Sequence, residues 1–259
     1  MTDVPLRDLV LYLDELLETG RIPDYPNAVN GLQLANFGTV SKVAAAVDFS
    51  SASVAGAVRE GADCLLVHHG MFWSGLEPVR GPAYERMKQL IERDVAVYAS
   101  HLPLDRHEQL GNNVLLAAEL GLTPSAGFAR FQTIDIGVRG DADISTAELA
   151  ERAAEFAASH GGGLRTTPIE AGRRTRRWAI CSGAGASSET LREATEHGID
   201  TLIVGEGAHW TAVHAADNDL VILYAGHYAT ETLGVRALAQ RVSERFSVPW
   251  IFLEHPTGL

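Results

Sequence analysis

The sequence is poor in cysteine, in positive charge and in long apolar runs, and each shortage removes a class of protein. Its two cysteines, Cys64 and Cys181, lie inside apolar, strand-like runs (CLLV and WAIC). No disulfide framework can be built from them, and both read as buried free thiols. No apolar run approaches the ~20 residues that a membrane helix needs. The opening MTDVPLRDLV lacks a basic region followed by an uninterrupted apolar stretch, so no secretory leader is expected. A cytoplasmic protein with no membrane partner is the expectation. Lys+Arg number 21 against 33 Asp+Glu, a formal net charge of -12. An acidic surface repels phosphate backbones unless basic residues are gathered into one patch, which disfavours nucleic acid as a partner. Arginine outnumbers lysine 19 to 2, which reads as coding bias and not as a phosphate-binding signature.

What remains is an ordinary globular balance: 259 residues, 46% hydrophobic and 21% charged. Such a chain builds a core without metal or disulfide staples, so a metal in it would be functional. Leu6, Leu9, Val10, Leu13, Leu16 and Leu17 have helical spacing, with Pro5 near the first turn. Strands are predicted at 43–47, 64–67 and 95–99, with helices at 51–60, 84–93 and 114–120. Residues 123–131 read as a crossing between halves. Ser145 and Glu148 form a capping box for a helix ending near Ser159. The polar, Arg-rich 164–177 segment reads as a solvated loop or hairpin. This alternation indicates α/β layers. The expected division is 1–125 plus 221–259 as a metal-binding half and 126–220 as a second half.

A weak internal repeat organises the chain. EGADCLLVHHG (60–70) aligns with HGIDTLIVGEG (197–207) at an offset of 137, and each follows a strand, a turn and a Ser-Ser pair. VYASHLPLD (97–105) matches LYAGHYATE (223–231) at an offset of 126. Two matches in the same order suggest two related α/β halves. In that alignment Glu206 takes the place of His69.

The chemistry concentrates at predicted strand ends. His68-His69 follows Val67, His101 follows VYAS with Asp105 four residues on, and His227 follows LYAG with Glu231 four residues on. Ligands of α/β sheets gather beyond the carboxyl ends of the strands. Adjacent residues of an extended strand point to opposite faces, so His68 and His69 would serve different ions unless the chain turns at Gly70. Imidazoles with carboxylates suit zinc, iron, manganese or nickel.

The stretches NAVNGLQL, LLVHHGMFW, SHLPLDRHEQLGNN, VGEGAH and GHYATETLGVRAL together resemble the Nif-three-like dinuclear-metal-centre proteins, often labelled GTP cyclohydrolase 1 type 2 homologues. They span almost the whole chain in the family's order, except for about 126–177. The resemblance implies two interlocked α/β halves, a toroidal homohexamer and two divalent metal ions per subunit. By motif, His68 and His227 would hold one ion, His69 and Asp105 the other, and Glu231 would bridge them. The family often carries His-His where this chain has His227-Tyr228, so Tyr228 is expected to alter substrate contacts or pH dependence. His101 either orients a ligand or water or is itself a sixth ligand. Glu206 either joins His209 and His214 in another site or caps and decorates a helix.

Paired metals ~3.5–4 Å apart generate hydroxide at neutral pH and stabilise an oxyanion from both sides. The leading expectation is a hydrolase acting on an anionic, phosphate-containing small molecule, with a nucleotide suggested by the family label. No catalytic residue is assigned. The alternative is a ring-shaped metal-binding scaffold or regulator, associated with DNA through a basic channel of Arg173, Arg174, Arg176 and Arg177. Metal buffering without turnover is a third reading. Ser182-Gly-Ala-Gly after a strand reads as a tight strand–helix turn before a phosphate cradle, because no P-loop lysine accompanies it.

Overall fold

A computed structural model describes residues 3–259. Two compact units divide the chain, one running to Leu104 and including Gly234–His255, the other comprising Asp105–Leu233 and Pro256–Leu259. The chain therefore passes between them three times.

The first unit contains β1 (Val4–Pro5), α1 (Leu6–Leu16), β2 (Gly31–Leu34), β3 (Thr39–Val40), β4 (Val43–Asp48), α2 (Ser51–Arg59), β5 (Cys64–His69), α3 (Pro82–Glu92) and β6 (Ala96–Ala99). Helix α4 (Leu102–Asp105) carries the chain into the second unit. There follow α5 (Asn112–Glu119), β7 (Ala126–Phe131), β8 (Ile134–Ser145), α6 (Thr146–Ser159), β9 (Arg165–Thr166), β10 (Arg174–Cys181), α7 (Ser188–Glu196), β11 (Thr201–Val204), α8 (His209–Asp217) and β12 (Val221–Tyr224). Helix α9 (His227–Phe246) begins in the second unit and ends in the first, where β13 (Trp250–Phe252) follows.

In the first unit the five-stranded sheet has the order β13-β4-β5-β6-β2, parallel except for the edge strand β2. Every residue of β5 and β6 is buried. That is why CLLV and VAVYA are continuous apolar runs and not alternating ones: helices cover both faces of a parallel sheet. Ala44, Val54, Leu65, Val67, Leu90 and Val97 form the core beneath it. In the second unit the order is β7-β8-β10-β11-β12-β9, with a parallel centre and antiparallel flanks. Two apolar clusters line its faces, one around the fully buried Trp178 and one around Phe128 and Leu202.

The repeat seen in the sequence is a repeat of structure. Val43, Cys64 and Ala96 are neighbours across β4, β5 and β6, and Trp178, Thr201 and Val221 across β10, β11 and β12. Ahead of each middle strand stands an aspartate. The Asp63 carboxylate accepts from the backbone N–H groups of Ser41 and Lys42, and the Asp200 carboxylate from those of Arg176 and Arg177. The intervening helices also start alike. Ser50 caps α2 and Ser187 caps α7, each side chain accepting from a backbone N–H three residues on.

The structure differs from the sequence-based expectations in four places. The chain divides at 104/105, 233/234 and 255/256, not at 125/126 and 220/221, because α5 packs Leu116, Ala117 and Leu120 into the Trp178 cluster and β12 lies between β11 and β9 in the second sheet. Residues 126–131 are strand β7, paired with β8, and not a connector. Arg174–Cys181 is one strand and Arg165–Thr166 another, so the Arg-rich segment is loop only at 164 and over 167–173. The Ser145 side chain makes no cap bond to α6, and Glu148 instead pairs with Arg152 at 2.7 Å. Both cysteines are buried and free, and burial pushes the Cys64 thiol up to about 12 and the Cys181 thiol upward as well. Among the described residues no helix is long and apolar enough to cross a membrane.

Candidate metal centre

In the first unit, parallel β5 and β6 deliver three histidines at their carboxyl ends. His68, His69 and His101 are all buried and each offers a ligand nitrogen, all three atoms lying within 4.8 Å of one another. The rings of His68 and His69 have centroids 4.8 Å apart, and His101 lies 4.9 Å from His68. Strand β5 stays extended through His69, yet both neighbouring imidazoles reach the same space. The opposite-face argument fails here because the rings lean toward different neighbours. His68 is tied to β6 through the Ser100 carbonyl at 2.9 Å, and His69 to the end of β4 through Asp48 at 2.8 Å.

These bonds decide the chemistry of the rings. A carbonyl or an ionised carboxylate can only accept, so Nδ1 carries the proton and Nε2 keeps the lone pair that ligates. His101 follows the same rule, its Nδ1 donating to Asp24 Oδ1 at 2.8 Å. Imidazoles that bind metals are held in this way by a carboxylate or backbone carbonyl behind them. Burial alone would raise the Asp24 carboxyl, but His101, with Asn30 and the Leu102 N–H, holds it below its ordinary value.

NAVNGLQL supplies the clamps of this site. Asn30 accepts the His101 backbone N–H at 2.8 Å and donates to Asp24 at 2.7 Å. Asn27 donates to the Trp73 carbonyl, and Gln33 accepts the Met71 N–H at 2.6 Å. Trp73 lies beside His69 and His101, its ring tilted to both, with centroids 4.6 and 4.5 Å away. Asp24, Asp48 and Ser100 were not singled out from the sequence. Only Asp48 leaves a signal there, as the last residue of a strand that pairs with β5; in the structure it stands opposite His69.

In the second unit, three further strand ends carry Ser182-Gly183, Gly205-Glu206 and Gly226-His227. His227 opens α9, and the i,i+4 spacing brings Glu231 onto the same face, 3.1 Å from Nε2. Glu206 holds the other ring nitrogen at 2.8 Å. Burial would lower the His227 pKa, but Glu231 and Glu206 on its two sides raise it to about 9. The pair is an anionic pocket that favours positive charge. Gly183, at φ +60°, lies against it, and a Cβ there would run into Glu231 Oε1 and His227 Nε2. A glycine thus keeps open the space in front of the two candidate ligand atoms.

Asp105 is buried in the same unit, accepting from Asn112 at 2.8 Å and Ser182 Oγ at 3.4 Å. The Ser182 and Gly183 amides go to Asn113 at 2.7 Å and Thr230 at 3.0 Å, so this turn is structural and does not cradle phosphate. Tyr228 is buried in the first turn of α9, its N–H donating to the Leu259 carbonyl. Glu206 reaches His227 and makes no bond to His209 or His214.

The donor set fits a metal ion: oriented imidazoles and a carboxylate–imidazole pair at the carboxyl ends of parallel strands define an α/β protein with candidate metal ligands of histidine and carboxylate. The model of Duf34/NIF3 (NGG1p interacting factor 3) matches residues 4–257, and the chain belongs to that family. A relative from Deinococcus radiodurans, named GTP cyclohydrolase 1 type 2 homolog, is 38% identical over 97% of this chain and 94% of its own. One of the same name from Escherichia coli is 36% identical over 96% and 97%. Among solved structures, the protein ybgI, described as of unknown function, superposes with a TM-score of 0.88 at 34% identity, covering 99% of this chain and all of its own. A crystal structure from Thermus thermophilus reaches 0.84 at 34% identity, again over 99% and 100%.

Proposed function

We propose that this protein is a dinuclear-metal-dependent hydrolase of a phosphate-containing small molecule, with a nucleotide as the leading substrate class. One observation carries the reading: His68 and His69 each have Nδ1 engaged by a carbonyl or carboxylate, which leaves Nε2 to ligate, and the ligand atoms of His68, His69 and His101 lie within 4.8 Å of one another. His68 and His227 would hold one ion, His69 and Asp105 the other, and Glu231 would bridge. Two bound divalent ions supply Lewis acidity and a nucleophile at neutral pH. The chain's own groups do the rest. Asp48, Asp24, Ser100 and Glu206 fix the rings, and Trp73 covers His69 and His101 against bulk water.

The name of the relatives, GTP cyclohydrolase 1 type 2 homolog, supports a nucleotide as the substrate to try first. A ring-shaped homohexamer belongs to the same reading. Two of the four arginines on which the DNA-bound scaffold would rest are already paired, Arg173 with Asp219 and Arg174 with Asp143, at 2.5 Å each, while Arg176 and Arg177 are exposed. Arginines already neutralised by aspartates release few counterions on meeting a phosphate backbone.

The test is metal content per subunit by plasma mass spectrometry, for wild type and for His68→Ala and Glu231→Gln. Near two ions in the wild type, falling in both variants, together with turnover of a nucleotide or phosphoester, is the expected result. Content that neither variant lowers would overturn the ligand assignment.

A further inference from the structure

At the carboxyl ends of β11 and β12 the second unit contains a cavity of about 440 Å³, lined among others by Arg165, Gly205, Glu206, His209, Ala212 and Tyr224. This volume is in the range that holds small organic ligands. The walls are preformed. Tyr224 is fixed by a 2.7 Å bond between its hydroxyl and Thr211, and Gly207 admits the ring, since a Cβ there would stand 2.8 Å from Tyr224 Cε1. Arg165 lies directly across from Tyr224 in the β9–β12 ladder and is exposed. Its guanidinium bonds only to the Leu164 carbonyl, at 3.3 Å, and no carboxylate among the described residues pairs with it. That sets Arg165 apart from Arg173 and Arg174, each held by an aspartate.

Glu206 connects the cavity to the candidate metal site. Its Oε1 is taken by His227, while Oε2 has no hydrogen-bond partner among the described residues. A carboxylate oxygen facing a cavity accepts N–H donors and repels anions. A guanidinium without an acid partner does the reverse and suits phosphate bidentately. The rest of the lining is mostly glycine and alanine, with Tyr224 as its one phenol ring. A ligand satisfying all three features has a phosphate, a planar ring and ring N–H groups.

We infer that this cavity binds a phosphorylated nitrogen heterocycle, with Arg165 on the phosphate, Glu206 Oε2 on ring N–H groups and Tyr224 beside the ring. The inference rests on the hydrolase reading for its substrate class, but binding is measured separately from turnover. Calorimetric titration of the metal-loaded full-length protein with guanosine 5′-monophosphate, ribose 5-phosphate and inorganic phosphate tests it. Wild type should bind the nucleotide about tenfold more tightly than ribose 5-phosphate, a difference of roughly 1.4 kcal/mol. Arg165→Ala should weaken both phosphate esters. Ala212→Phe, which fills the cavity from α8, should remove the advantage of the nucleotide and leave inorganic phosphate binding unchanged. Metal content and thermal melts of each variant show whether it is folded, and Arg165→Ala, at an exposed position, serves if Ala212→Phe is not.

Nucleotide binding that neither variant changes, or a wild type that binds the nucleotide no better than inorganic phosphate, would overturn the cavity assignment. Phosphoester turnover alongside such a result would leave the hydrolase reading standing. The expected binding pattern in a protein that turns nothing over would support the cavity and sink the hydrolase.

Discussion

Gly183 is the residue where backbone conformation and candidate chemistry meet. Its φ of +60° and the closeness of Glu231 and His227 make two separate demands, and alanine meets neither. The left-handed backbone alone should cost a Gly183→Ala variant about 1–2 kcal/mol. The added methyl should also push Glu231 and His227 out of position. Gly61 has nearly the same φ, +66°, but faces open space. We therefore expect Gly61→Ala to lower the melting temperature while keeping its metal, and Gly183→Ala to lose both stability and metal, measured by calorimetry and mass spectrometry. Comparable metal loss in the two variants would show that the methyl at residue 183 has no special role. Gly183 was legible in the sequence only as part of a tight turn. The side chains it accommodates come from α9, 44 and 48 positions later, and no local pattern records such a contact.

At the scale of elements, much of the fold was legible where one strong signal governs. The buried central strands announced themselves as apolar runs, and α1 by its leucine spacing. Strand β7 and the start of β10 were missed for a shared reason. Both mix arginines with apolar residues on strands exposed on one side, a pattern that resembles loop until the partner strand is known. The histidines of the candidate site were legible because they stand at strand ends. Their orienting partners were not, since Asp24 and Asp48 reach them through tertiary contact. The internal repeat extends to Asp63 and Asp200, each joining the start of one strand to the next. Replacing either aspartate by alanine leaves two backbone amides without their acceptor, and each change should cost about 1–3 kcal/mol in urea unfolding. Similar losses in both variants would mark equivalent positions in the two sheets; a loss in only one would show that the resemblance is topological and not energetic.

On the scale of the whole molecule, the apolar side chains exposed in the first unit include Phe37 at 95% and Leu76 at 99%, with Val79, Tyr84 and Ile91 on or next to α3. Side chains of this kind would be covered if copies of the chain associate, as the proposed ring requires. Light scattering coupled to size exclusion should give a mass near six times the 27.8 kDa of one chain. A mass of 27.8 kDa at micromolar concentration would remove the ring from the proposal without touching the metal site.

The threefold passage of the chain between its units has a consequence for the order of synthesis. Strand β13 pairs with β4, Trp250 against Val43, so one edge of the first sheet is completed about two hundred residues after that sheet begins. While the ribosome makes the second unit, the amides and carbonyls on that side of β4 have no strand partner. An open edge of buried, alanine- and valine-rich sequence is a template for pairing with another chain. The first sheet therefore gains this edge strand only after Phe252 has been made, and one side of β4 stays open until then.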